Sequence, residues 1–284
     1  NLSIISLREK LEHAAVLGVL PKVVIPVHLT GQPCDMRAIH ELSQQYGFKV
    51  VEDASHAIGG RYRSGAIGNC EYSDITVFSF HPVKIVTTAE GGMALTNNSQ
   101  LAERMARLRS HGITRDPEQM QNAPAGAWYY EQLELGYNYR MTDIQAALGI
   151  SQLSRLDEYI AKRASLAKRY NDKLLHLPIK IPKEPDYSIS ANHLYIIRLK
   201  LDKVTKTRVA IFNELLERKI GVSLHYIPVY SHPYYRALGF QKSNFPEAEA
   251  YYSECLSLPL HPQLSEEEHD YVIETLNELT LGNW

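Results

Sequence analysis

Apolar residues recur at helical spacing from Leu7 to Leu20, and Gly18 is placed to break that helix near its end. Beyond Pro21 the period changes. Lys22-Val-Val-Ile-Pro-Val27 is a short continuous apolar run, the pattern of a buried strand. The turn Gly31-Gln-Pro33 leads into a helix over Asp35–Tyr46, with Asp35 at the capping position and Gly47 just past the end. A second apolar run, Phe48-Lys-Val-Val-Glu-Asp53, follows. Two such strands around one helix predict a parallel βαβ unit.

The glycine-rich stretch from Gly59 to Gly68 predicts loop and turn, and Ile75–Phe80 and Gly91–Thr96 read as strands. Asn97 and Asn98 supply a turn before a helix over Ser99–Ser110. Residues 111–138 are polar and aromatic, with Pro117, Pro124 and Gly126, and predict a long loop; such loops in compact domains are usually functional. Thr142 caps a helix that keeps its pattern to about Leu175, after which Pro178, Pro182 and Pro185 mark a boundary. Asn192–Lys200 then alternates like a half-exposed antiparallel strand. A helix over Arg208–Lys219, a strand-like Gly221–Tyr226 and a helix over Ser265–Glu278 complete the chain. The expected fold class is α/β: a mostly parallel large-domain sheet over residues 1–159 and a smaller α+β domain over 160–284.

Charge narrows the partner. Thirty basic against thirty-two acidic side chains give a net charge of −2, and no charge run points to a nucleic-acid or membrane surface. A small molecule is the expected partner, and any phosphate on it must be met by a local site. No signal-peptide pattern or bilayer-length apolar run occurs. Cys34, Cys70 and Cys255 are an odd, widely spaced set, neither a disulfide framework nor a zinc site, and read as reduced thiols in a cytoplasmic protein.

The chemistry gathers at strand ends. Asp53 ends one predicted strand and Ser79 lies near the end of another, with Lys84 five residues later. Ligands of open parallel sheets collect at that edge. An acid, a hydroxyl and a lysine together suit pyridoxal phosphate: a Schiff-base amine, a partner for the pyridinium nitrogen and a phosphate ligand. An apolar setting would lower the lysine pKa and fit it to act as nucleophile and proton shuttle. Taken singly, Lys84 also reads as a solvated surface lysine and Asp53 as a cap or turn acid.

Three blocks remove that ambiguity. Glu52-Asp-Ala-Ser-His-Ala57, Ser79-Phe-His-Pro-Val-Lys84 with Glu90-Gly-Gly92, and Gly136-Tyr-Asn-Tyr-Arg-Met-Thr-Asp-Ile-Gln145 occur in the order found in the DegT-type sugar aminotransferases of fold type I, which the chain resembles from about Val23 onward. The resemblance implies that Lys84 carries pyridoxal phosphate, Asp53 faces the pyridinium, His56 reaches the phenolic oxygen and Ser79 binds phosphate. It also implies that Asn138 reaches the phosphate of a neighbouring subunit, so that a homodimer shares its active sites. Dehydratases of the family carry histidine where this chain has Lys84, which favours transamination here over that alternative. A non-catalytic, regulatory homologue is the other alternative, disfavoured by the Lys84–Asp53 pair.

A finer likeness lies in Val24-Ile-Pro-Val-His-Leu-Thr-Gly-Gln-Pro-Cys34, His81-Pro-Val83 and His225-Tyr-Ile-Pro-Val-Tyr230, which resemble the transaminases of pseudaminic acid biosynthesis. That subgroup implies a UDP-linked 4-keto sugar as acceptor, L-glutamate as donor and UDP-4-amino-4,6-dideoxy-N-acetyl-β-L-altrosamine as product. His81, His225, Tyr226 and Tyr230 are then expected at the substrate. Arg140 is a candidate anion contact or a structural ion pair, and the tyrosines also suit an ordinary packing seam. The resemblance further implies an N-terminal segment with a phosphate-binding turn and a stacking aromatic ring. Neither is found here, so the chain is expected to be part of a longer protein or a truncated form.

Overall fold

Ser3 opens the first helix by accepting the Ser6 N–H, so α1 (Ile4–Val16) starts earlier than the apolar period suggests and buries Leu7 and Leu11. The computed structural model describes residues 1–281. They fall into two units, one of residues 1–29 and 33–156, the other of 30–32 and 157 onward.

In the first unit, β1 (Val23–Val24) precedes α2 (Met36–Tyr46). The Asp35 side chain accepts the Ala38 N–H at the start of α2, and Gly47 ends the helix at φ 79° with its N–H on the Ser43 carbonyl. Next come β2 (Lys49–Asp53), a small hairpin of β3 (Arg61–Tyr62) and β4 (Gly65–Ala66), β5 (Ile75–Ser79) and β6 (Gly92–Leu95). The main sheet has the order β1-β2-β5-β6: β1, β2 and β5 run parallel, and β6 is antiparallel to β5. The βαβ unit is present. Its first strand is not the buried run expected from the sequence. β1 is two residues long, and Val23, Ile25 and Val27 are exposed. Among the described residues it is an edge strand, and Pro26 interrupts its ladder because proline has no N–H to give.

Register sets what each sheet face carries. Paired residues in neighbouring strands share a face and successive residues alternate. Glu52 pairs with Thr76 on one face; Asp53 pairs with Val77 on the other, which Ser79 shares two residues on. After the sheet come α3 (Ser99–Arg109), then β7 (Ile113–Thr114) and β8 (Glu131–Gln132), an antiparallel pair inside the segment expected to be all loop. The helix α4 (Asp143–Leu153) opens with a full capping box between Thr142 and Gln145.

The single helix expected from Asp143 to Leu175 is two. α5 (Leu156–Leu174) restarts after Ser154 and Arg155. There the Ser154 hydroxyl and the Arg155 guanidinium both bond the Ser151 carbonyl, at 2.9 and 3.3 Å, and the Arg155 N–H turns to Gln152. Side chains that compete for helix carbonyls break the ladder.

The second unit adds β9 (Ile179–Lys180), β10 (Ser188–Ile189), β11 (Tyr195–Leu199), α6 (Arg208–Glu217), α7 (Pro233–Ala237), α8 (Pro246–Glu254), β12 (Cys255–Leu258) and α9 (Glu266–Leu281). A sheet of order β12-β11-β9 lies at its centre. β11 is not half-exposed. Tyr195, Ile197 and Leu199 join Tyr170, Leu174, Ile211, Leu215, Leu256 and Leu276 in the core, and Ile196 on the other face is buried too. Only Arg198 keeps the polar alternation, its Nε on Glu254 of α8 at 2.8 Å. Gly221–Tyr226 contributes one bridge, Ser223 to Ser257, rather than a strand.

Candidate active site

Asp53 is the last residue of β2 and Ser79 the last of β5, so chain direction and register bring both to the C-terminal edge on one sheet face. The Ser55 N–H donates to the Asp53 carboxylate at 3.0 Å. The Ser79 hydroxyl oxygen accepts the His81 N–H at 3.4 Å, which leaves its own hydrogen to give. His56, in the turn that follows β2, is buried.

The segment that carries Lys84 is pinned at both ends. Phe80 N–H donates to the Gly91 carbonyl (2.8 Å) and Thr88 N–H to the Phe80 carbonyl (3.0 Å). A tight turn from His81 to Lys84 lies between them. Thr87 Oγ1 bonds the Phe80 carbonyl and accepts the Ala89 N–H, while Thr88 Oγ1 and Gln145 Nε2 both donate to the Glu90 carbonyl. Gly92 pairs with Ser79, and a Cβ there would stand 2.8 Å from the Phe78 carbonyl oxygen, so only glycine lets β6 approach this closely.

Burial pushes the Lys84 amine below its ordinary range, and the nearby Asp53 charge opposes the shift without cancelling it. The amine is half-buried, desolvated enough to lose basicity yet open to a small molecule. His81 is exposed, its Nε2 3.9 Å from a Glu90 carboxylate oxygen. A less basic amine, a carboxylate and a free hydroxyl proton on one edge can hold a flat, phosphate-bearing carbonyl compound and shuttle a proton beside it.

Asn138 and Arg140 stand apart from that cluster in bonding. Both are exposed; Asn138 bridges Ser110 through its backbone, and neither side chain has a hydrogen bond or ion pair to the strand-end residues. In the second unit, His225 Nδ1 lies 2.7 Å from the Ser257 hydroxyl, and the Tyr226 ring meets His225 edge-on at 4.7 Å. Tyr230 donates its hydroxyl to Glu249 at 2.8 Å and stacks on Phe245 at 4.2 Å. Its ring and hydroxyl therefore both have internal partners.

Sequence reasoning passed over what lies behind the site. On the face opposite Asp53, the buried Glu52 carboxylate accepts from Ser73 Oγ (2.5 Å) and Thr76 Oγ1 (3.1 Å) and sits 2.8 Å from His28 Nε2. The available signal was a charged residue two positions on from the apolar Val50, on the side of the strand that Val50 buries.

A mostly parallel sheet with acid, hydroxyl and lysine at its C-terminal edge defines the class: the fold is that of the fold type I pyridoxal-phosphate transferases. Within it, the chain belongs to the DegT/DnrJ/EryC1/StrS aminotransferase family, whose profile matches residues 2–277. It is 40% identical over 264 residues to the spore coat polysaccharide biosynthesis protein SpsC of Bacillus subtilis, spanning 92% of this chain and 67% of that protein. Spr1654 of Streptococcus pneumoniae, described as a candidate sugar aminotransferase and solved in its PMP form, superposes with a TM-score of 0.82. Its identity is 32%, over 91% of this chain and 69% of that one. Helicobacter pylori PseC, an aminotransferase of pseudaminic acid biosynthesis, gives a TM-score of 0.82 at 28% identity, over 94% of this chain and 69% of that one.

Proposed function

We propose that this chain forms the cofactor and catalytic site of an aminotransferase that moves an amino group from L-glutamate to a nucleotide-linked 4-keto-6-deoxy sugar. The observation that carries the reading is Asp53 and Ser79 on one sheet face at the C-terminal edge, with Lys84 in the loop after β5 near enough to feel the Asp53 charge, in a chain of this family. The donor set fits pyridoxal phosphate: an amine for the Schiff base, a carboxylate for the pyridinium nitrogen and a hydroxyl for the phosphate. When bound, that cofactor supplies an electron sink for the carbanion left by loss of an α-proton.

The residues divide the remaining work. Lys84 holds the cofactor, and its lowered basicity lets it take a proton from the donor's α-carbon and return one. With the cofactor bound, Asp53 would keep its ring nitrogen protonated, His56 would serve the phenolic oxygen and Ser79 would give its hydroxyl hydrogen to the phosphate. Asn138 reaches the phosphate of a second subunit, which makes the active unit a homodimer. His81 and Arg140 contact the sugar nucleotide. The likeness to PseC supports a sugar of pseudaminic acid type, and SpsC supports polysaccharide-directed sugar chemistry more broadly.

The test is an absorbance spectrum of the chain with pyridoxal phosphate, before and after L-glutamate. A visible band that collapses on adding glutamate is expected, and UDP-linked and dTDP-linked keto-sugars should then restore it selectively. A band that forms and ignores every amino donor would refute transamination.

A further inference from the structure

The tip of β2 carries two acids with opposite surroundings. Asp53 faces the strand-end site, with Lys84 near enough to feel its charge. Glu52 points the other way, is buried and is surrounded by His28, Ser73 and Thr76. Sealing a carboxylate behind the sheet is expensive in desolvation, and an apolar residue would fill the space more cheaply. What fixed donors supply instead is a defined position, because each bond has a direction and an apolar contact has none.

One residue grips both acids. The His28 backbone N–H donates to the Asp53 carbonyl at 3.0 Å, closing the Val27–Asp53 bridge, and the His28 ring meets Glu52 at 2.8 Å. The Cys34 N–H donates to His28 Nδ1 at 3.2 Å. The Glu52 carboxyl, held below its ordinary range, is ionised and can only accept, so the His28–Glu52 bond runs from ring to carboxylate. His28 has no exposed surface. On the same segment, the Pro26 carbonyl accepts the Asp53 N–H at 3.0 Å. The backbone of Asp53 is thus held from the β1 side by Pro26 and His28, while the neighbouring side chain is locked from behind by the His28 ring.

We infer that His28 is a positioning residue for Asp53: by gripping the Glu52–Asp53 pair through its backbone and its ring together, it sets the direction of the Asp53 carboxylate at the site. This rests on the reading of Asp53 as the acid that faces the cofactor's ring nitrogen. His28 touches neither cofactor nor substrate in this scheme. Its effect passes through two peptide units of β2, as outer partners of a ligand set pass theirs through the ligand they orient.

The test uses His28→Phe, which keeps ring bulk and loses both ring hydrogen bonds, and His28→Gln, which keeps a donor for Glu52. The first readout needs no cofactor. The Ser55 amide reports the Asp53 carboxylate directly, since it donates to it. In His28→Phe, hydrogen exchange at Asp53 and Ser55 should speed up about tenfold relative to Val77 and Phe78 of β5, with His28→Gln returning most of that protection. A uniform rise across both strands, or no change at Asp53 and Ser55, would overturn the positioning role.

The second readout is the pyridine nitrogen-15 resonance of labelled pyridoxal phosphate bound to the chain. Asp53→Asn should move it to the neutral-pyridine position, His28→Phe should move it part of the way, and His28→Gln should leave it near wild type. If Asp53→Asn leaves the resonance in place, the assignment of Asp53 fails and the role of His28 with it. If Asp53→Asn moves it and His28→Phe does not, the cofactor reading stands and only the inference about His28 is lost.

Discussion

Replacing Glu52 tests whether the charge buried behind the sheet stabilises the fold, and the structure gives both size and sign. Its carboxylate has partners at 2.5 Å (Ser73), 2.8 Å (His28) and 3.1 Å (Thr76). Glu52→Ala leaves the buried His28 ring hydrogen without an acceptor, while the Ser73 and Thr76 hydroxyls keep each other, at 3.3 Å. Removing one side of such a pair costs about 3–5 kcal/mol, part of which the escaped desolvation of the carboxylate offsets. Against a typical total of about 5–15 kcal/mol, that is a large share. Glu52→Gln keeps the shape and loses the charge, and should cost about 2 kcal/mol at neutral pH.

The sign with pH follows from the same bonds. Burial pushes the Glu52 pKa up, but hydrogen bonds from His28, Ser73 and Thr76 outweigh it and hold the carboxyl below its ordinary 4.5. A folded value below the unfolded one means that the stabilisation is complete above the unfolded value. It is lost as pH falls through the folded value. The gap between wild type and Glu52→Gln should therefore shrink below about pH 4. Urea unfolding of both proteins, followed by circular dichroism from neutral to acid pH, measures that gap. A gap that stays constant or widens on acidification would refute the reasoning.

Other outcomes follow from single positions. Lys84→Ala should abolish the visible band with pyridoxal phosphate and all turnover. It should leave stability within about 1 kcal/mol of wild type, because a desolvated amine adds little to the fold; a retained band would sink the assignment. Gly112→Ala should be strongly destabilising, since its Cβ would lie 1.8 Å from the Glu134 carbonyl oxygen at φ +71°. Gly18→Ala, at φ +70° with nothing within 4 Å, should cost only about 1–2 kcal/mol, so equal thermal midpoints for the two variants would count against the packing described. Ile197→Ala removes a fully buried side chain from the centre of the second unit and should cost about 2–5 kcal/mol in urea unfolding. A loss under half of that would mean that β11 is less enclosed than described.

Local signals were legible residue by residue. Asp35 and Gly47 bound a helix because one side chain caps an N–H and one residue tolerates a left-handed φ. Thr142 opened another for the same kind of reason. Asp53 and Ser79 were found at strand ends because an apolar run stops where the chain leaves the sheet. Lys84 was a candidate from its place just past a strand end, and the resemblance of the words around it to those of a family removed the reading as a surface lysine. Long-range pairing was not legible. That β6 runs antiparallel, that β1 is an exposed edge and that β11 is covered on both faces depend on what packs against each strand, which no local period encodes. The helix break at Ser154 and Arg155 depended on which carbonyl two side chains chose.

By itself, then, the sequence determined the kinds of element, their caps and the chemistry of the strand-end residues, because those follow from neighbours a few positions apart. Tertiary structure alone decided which surroundings the adjacent acids Glu52 and Asp53 each meet on their two sides of the strand, and that His28 holds both. The physical reason is that a hydrogen bond between residues 24 positions apart is made by sheet register, and register exists only once the strands have paired.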